Sequence, residues 1–163
     1  MFNDCSSLTN IPENLLPATT LEEYCYNSMF YNCSSLTNAP KLPATTLANY
    51  CYYNMFYNCS SLTTLLENLL PATTLASYCY YNMFDGCSSL TNAPKLPATT
   101  LAYACYMFMF KGCSSLTNAP KLPATTLANY CYSNMFNSCS KLKEVYCNAH
   151  YNENGTEITT SIG

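Results

Sequence analysis

Arginine is absent from this chain of 163 residues, and charged side chains of all kinds make up only 9% of it. An ordinary globular domain carries roughly 25%. With a net charge of −3 and six scattered lysines, the chain lacks the electrostatic footprint of a nucleic-acid binder, whose affinity comes from neutralising phosphates. One histidine, His150, and two aspartates, Asp4 and Asp85, leave little inventory for acid–base chemistry. Serine, threonine and cysteine are plentiful, but no base accompanies them to activate a nucleophile. Four glycines supply no phosphate-binding loop. The chain therefore reads as non-enzymatic, with no catalytic residue and no cofactor. No apolar run approaches the roughly 20 residues that span a bilayer, so membrane insertion is not expected. No signal peptide is visible, since Met1 falls inside a repeat; the chain reads as a fragment whose leader or other flank lies upstream.

What the chain does have is a repeat. The stretch from Met29 to Asn54 is copied along the sequence, with Met-Phe recurring at Met1, Met29, Met55, Met83, Met109 and Met135 in steps of 28, 26, 28, 26 and 26. A period of that length, held this strictly, is the signature of a solenoid. Each copy is too small to bury its own apolar face and must stack on its neighbours.

Eleven of the 12 cysteines follow the same register, and Cys147 is left over in the tail. Cys5, Cys33, Cys59, Cys87, Cys113 and Cys139 come just after Met-Phe, and Cys25, Cys51, Cys79, Cys105 and Cys131 come four residues before it. They fill repeat positions as leucines would, and free cysteine behaves as a small buried hydrophobe. There is no Cys-x-x-Cys, and with His150 as the single histidine the usual zinc spacings are missing, so no metal is expected. Stacked free thiols are the main reading and some disulfides the alternative. The Cys33–Cys59 column, at strand spacing, offers the nearer pairs.

Within one copy, Leu36-Thr37-Asn38-Ala39 reads as a short strand that Pro40 ends, because proline cannot donate to a ladder. Pro40-Lys41-Leu42-Pro43 is an extended crossing. Thr45 or Thr46 then caps a helix over roughly residues 47–57. Leu47, Cys51 and Met55 lie four apart on its inner face, flanked by Ala48, Tyr52 and Phe56. Asn32, Asn58, Gly86, Gly112 and Ser138 follow it at a position suited to left-handed backbone. The fold class is thus α/β: a right-handed leucine-rich-repeat-like solenoid with one short parallel strand and one helix per repeat of 26–28 residues. The two extra residues of the longer copies fall in the crossing, at 12–16 and 65–70, where insertions cost least. Repeats occupy 1–142, and 143–163 reads as a C-terminal cap or the start of another segment. In that tail, residues 142–147 suit a last strand and Asn154-Gly155 a hairpin turn. His150 stands without a catalytic constellation.

The pattern Met-Phe-x-x-Cys-Ser-Ser-Leu-Thr at a 26-residue step resembles the bacterial surface-protein repeats of the BspA-type leucine-rich-repeat family. The resemblance covers about residues 1–142. It implies a curved solenoid that mediates adhesion or protein or glycan binding, outside the cell, on a bacterial surface or a phage particle. Its partners would be host or bacterial surface proteins or glycans. The middle of the repeat departs from the family: Ala-Pro-Lys-Leu-Pro-Ala-Thr-Thr-Leu stands where an acidic, Asn-rich crossing is usual.

Two surfaces are candidates for binding. On the helix face, Asn49, Tyr53, Tyr57, Tyr81, Tyr103 and Met107 occupy positions that vary between copies, and tyrosine and asparagine on a rigid lattice suit recognition. Unconstrained drift of exposed positions explains the variation equally simply. On the strand edge, Lys41, Lys95 and Lys121 share one repeat position, which suits an acidic glycan or merely keeps the rim soluble. A structural spacer, or a scaffold that self-associates end to end, is the alternative to a binding module.

Overall fold

The computed structural model describes residues 1–149 and 151–152. The chain winds through five stacked coils, here numbered from the cysteine that opens each: coil 1 (5–32), coil 2 (33–58), coil 3 (59–86), coil 4 (87–112) and coil 5 (113–138). Each coil has a crossing side and a turn side. Side chains pointing inward from both fill one continuous core.

The turn side corrects the expected helix. Residues 47–57 and their equivalents form a run of turns, and no helix occurs among the described residues. Odd-numbered amides in coil 2 close tight turns, as in Tyr53 N–H to the Tyr50 carbonyl at 3.3 Å and Met55 N–H to Tyr52 at 3.2 Å. Even-numbered amides instead donate to coil 3: Tyr52 to Cys79 at 3.0 Å, Asn54 to Tyr81 at 3.0 Å and Phe56 to Met83 at 2.9 Å. Every amide from Tyr50 to Cys59 therefore has a backbone partner, as burial demands. The physical reason is pitch. A helix is about 10 Å across, whereas bonded strands stack about 4.8 Å apart. Turns lie flat enough to keep the strand spacing on both sides. The residues agree, since Tyr, Asn, Ser and Cys are all indifferent helix formers.

Left-handed backbone makes these turns possible. It recurs at every fourth residue, at Tyr50 (φ 58°), Asn54 (55°) and Asn58 (56°) in coil 2. Asparagine and glycine suit that region. The expected left-handed position is found at Asn32, Asn58, Gly86, Gly112 and Ser138, though in a turn series and not at a helix end.

The crossing side is extended and sparsely paired. The expected strand at Leu36–Ala39 is not an element: Leu36 closes a turn on Cys33, and Thr37 bonds back to the Thr9 carbonyl at 3.0 Å. Parallel bridges join Thr20 to Thr46 and Thr74 to Thr100. The threonines expected to cap a helix are thus ladder positions. The named strands are β1 (Thr126–Leu127) and β2 (Tyr151–Asn152), paired parallel. Leu122 bridges to Cys147 just before them, so residues 146–148 and 151–152 lie against coil 5. The two longer crossings each make an added turn, Leu15 N–H to Pro12 and Leu69 N–H to Leu66. The expected tail hairpin and His150 lie outside the described residues.

Inside, like residues stack on like. Leu42, Leu96 and Leu122 form one column, Met55, Met83 and Met109 another. Phe2, Phe30, Phe56, Phe84, Phe110 and Phe136 stack with centroids 5.4–5.8 Å apart. Each such pair adds about 0.5–1.5 kcal/mol beyond burial. Nine of the cysteines are buried, and all twelve are free thiols. Cys59 Sγ donates to the Phe30 carbonyl at 3.1 Å and Cys87 Sγ to Phe56 at 3.2 Å, a contact repeated up to Cys139. Burial pushes these thiols up, Cys59 to about 12 and Cys139 to about 11, so they are poor nucleophiles.

Candidate functional site

The turn side presents tyrosines in rows parallel to the solenoid axis, because equivalent residues stand one coil apart. The outermost row is Tyr24, Tyr50, Tyr78, Tyr103 and Tyr130, with successive centroids at 4.9, 4.7, 5.3 and 5.5 Å. It runs about 20 Å, or four strand spacings. Tyr24 and Tyr130 are 56% and 59% exposed and Tyr103 42%, while Tyr50 and Tyr78 are half-buried between their neighbours. Coil 4 has Ala104 at the row's own position, and Tyr103 supplies the ring from one residue earlier. A second row places Tyr53 on Tyr81 at 4.8 Å, with Phe108 edge-on to Tyr81 at 5.7 Å. A third sets Tyr31 on Tyr57 at 4.8 Å.

Ring orientation decides what this face offers. In coils 1 to 3 the rings are nearly parallel, with interplanar angles of 4–8°. Their faces are spent on one another, leaving ring edges and hydroxyls outward. At coil 4 the ladder turns: Tyr103 lies at 58° to Tyr78 and 71° to Tyr130. Lys111 Nζ sits 5.4 Å from the Phe108 centroid, a cation–π contact. It also reaches Asp85 Oδ2 at 3.3 Å. Asp85 is the buried charged residue of the described chain. Burial raises its carboxyl above the usual range, and the hydrogen bond and charge of Lys111 oppose the shift.

Of the sequence candidates, Tyr53, Tyr57, Tyr81, Tyr103 and Met107 lie on this face, half-buried apart from the exposed Tyr103. Asn49 is exposed, but its amide is committed within the stack, to Glu23 Oε1 at 3.1 Å and the Ser77 N–H at 3.0 Å. Sequence reasoning missed Tyr24, Tyr50, Tyr78 and Tyr130. Tyr50 and Tyr78 would neighbour Tyr53 and Tyr81 even on a helix, and the recurrence of this row at 26 or 28 residues from Tyr24 to Tyr78 was visible.

Lys41, Lys95 and Lys121 fall in one column with Glu13 and Glu67, so the charges run minus, plus, minus, plus, plus. Lys41 pairs with Glu13 at 2.8 Å and Lys95 with Glu67 at 2.9 Å. Lys121 makes no ion pair among the described residues. No group of three or more His, Cys, Asp or Glu among the described residues could hold a metal. No helix there is long and apolar enough to cross a membrane.

The profile of the BspA type Leucine rich repeat region matches residues 1–83 and 73–161, in six copies. The chain belongs to the BspA-type leucine-rich-repeat family. Such repeats are typical of surface proteins and are generally non-enzymatic. Comparison with curated proteins finds no match. Among solved structures, a leucine-rich repeat protein from Bacteroides ovatus aligns with 93% of this BspA-type chain at 19% identity and a TM-score of 0.46. This chain spans 41% of that protein's length.

Proposed function

We propose that this BspA-type repeat chain is a non-enzymatic adhesion module that holds a protein or glycan partner on its tyrosine face, outside the cell, on a bacterial surface or a phage particle. The observation that carries this reading is the unbroken outer row from Tyr24 to Tyr130. Tyrosine supplies a large amphipathic contact at low entropic cost. Because the rings of coils 1 to 3 are already stacked, the cost of ordering them when a partner arrives is reduced. Edges and hydroxyls facing outward suit a partner rich in hydrogen-bonding groups. The coil is taken to wind right-handed, the hand that parallel crossovers favour.

The test is binding of the purified, reduced chain to glycans, mucins and intact bacterial and epithelial cells, beside the triple variant Tyr24→Ser, Tyr103→Ser, Tyr130→Ser, which removes the most exposed rings of the outer row. Binding that disappears in a folded triple variant supports the reading. Binding that survives it places recognition on another surface. An inert chain that becomes active only within a longer protein favours a spacer.

A further inference from the structure

The crossings are bonded unevenly. Coil 1 is tied to coil 2 through the amides of Thr37, Lys41 and Thr45, and coil 3 to coil 4 through those of Thr91, Lys95 and Thr99. Between 37–46 of coil 2 and 63–74 of coil 3 there is no backbone hydrogen bond among the described residues. Coil 3 carries two extra residues, which fold into the turn closed by Leu69 N–H and the Leu66 carbonyl, and that turn faces the straight Lys41–Pro43 segment without a backbone bond to it. The seam opens as a groove of about 350 Å³, with Lys41, Leu42 and Pro43 on one side and Leu66 to Leu69 on the other.

Opposite charges stand on the two lips, and neither is spent on the other. Lys41 is held from its far side by Glu13, and Glu67 from its far side by Lys95. The Lys95 bond uses Oε1 of Glu67, which leaves Oε2 open. An ammonium has three donors, and Glu13 occupies one of those on Lys41. Between the charges the wall is apolar. Leu42 and Leu69 are buried, and Leu66 stands 45% exposed at the rim. Asn68 adds a carboxamide.

We infer that this groove binds a small zwitterion with an apolar body, an α-amino acid of the leucine type. The ligand carboxylate meets the Lys41 ammonium, its ammonium meets the Glu67 carboxylate, and its side chain lies against Pro43 and Leu66. Both charges are solvated, so each contact is modest. A ligand of about nine heavy atoms in an open groove binds with a Kd on the order of 1 mM. The site is independent of the tyrosine face.

The experiment is a two-dimensional amide NMR titration of the whole chain with L-leucine, N-acetylleucine and leucinamide. Saturable shifts around Leu66 and Asn68 are expected with leucine. At least fivefold weaker binding is expected of each blocked analogue, which lacks one charge. Lys41→Met should abolish the preference for leucine over leucinamide, and Glu67→Gln that over N-acetylleucine. Lys95→Met breaks one ion pair without removing either lip charge, and should leave leucine binding within about twofold. Failure of leucine to give saturable shifts at roughly ten times the expected Kd would overturn the inference. So would equal binding of all three compounds, or an equal loss in Lys95→Met and Glu67→Gln.

Discussion

The interior tyrosine column offers a prediction whose sign runs against habit. Tyr26, Tyr52, Tyr80, Tyr106 and Tyr132 stack at 5.6–5.8 Å. Tyr80 is 1% exposed, and its hydroxyl has no hydrogen-bond partner. A buried hydroxyl without a partner costs about 1–3 kcal/mol by mutational measure. Tyr80→Phe keeps the ring and both stacking contacts and removes only that oxygen. The void left is about 10–15 Å³, worth about 0.3 kcal/mol at the known cavity slope. The variant should therefore be more stable by about 1 kcal/mol. Urea unfolding followed by tyrosine fluorescence or near-UV circular dichroism reads this as a higher midpoint with unchanged slope. Tyr52→Phe should behave alike, since its hydroxyl is also unpartnered. A loss of 1 kcal/mol or more on Tyr80→Phe would refute the reasoning and mean that a buried water satisfies the hydroxyl.

Four further outcomes are expected. Far-UV circular dichroism of the folded chain should lack the double minimum of an α-helix, because the turn side bonds between coils. Alkylation of the native protein should modify Cys5 and Cys25, which are exposed, well before the buried thiols; mass spectrometry of labelled peptides checks this. Asp85 has a carboxyl raised by burial, so its contribution to stability is fully present below the unfolded pKa and is lost as pH rises through the folded one. Asp85→Asn should flatten that fall in urea midpoints measured from acid to neutral pH. Gly112→Ala should cost about 1 kcal/mol for a side chain at φ +73° with no close contact. Gly86→Ala should cost more in the same unfolding assay, because its Cβ would meet Asn58 Oδ1.

Much of the core was legible because its period survives either backbone. The four-residue recurrence of Leu47, Cys51 and Met55 fits the 3.6 residues of a helix nearly as well. The turn series has a period of four, marked by left-handed backbone at Tyr50, Asn54 and Asn58, and over two or three turns the two periods select the same inward residues. Cys51, Tyr52, Met55 and Phe56 are all buried. The inserted residues of coils 1 and 3 were placed correctly in the crossing for an equally local reason, since only there does added length disturb no column.

By itself the sequence determined the number of coils, the family, the columns that fill the core and one of the three left-handed positions in each coil. All of these follow from local residue type and a strict period. Only the tertiary structure decided where the backbone amides go. A chain of this pattern can close its hydrogen bonds within a segment or between coils, and the 4.8 Å strand pitch leaves room only for the second. That same stacking brought residues 25–28 apart into contact. It paired Lys41 with Glu13, drew Tyr103 into a row begun by Tyr24, and opened the groove between coils 2 and 3.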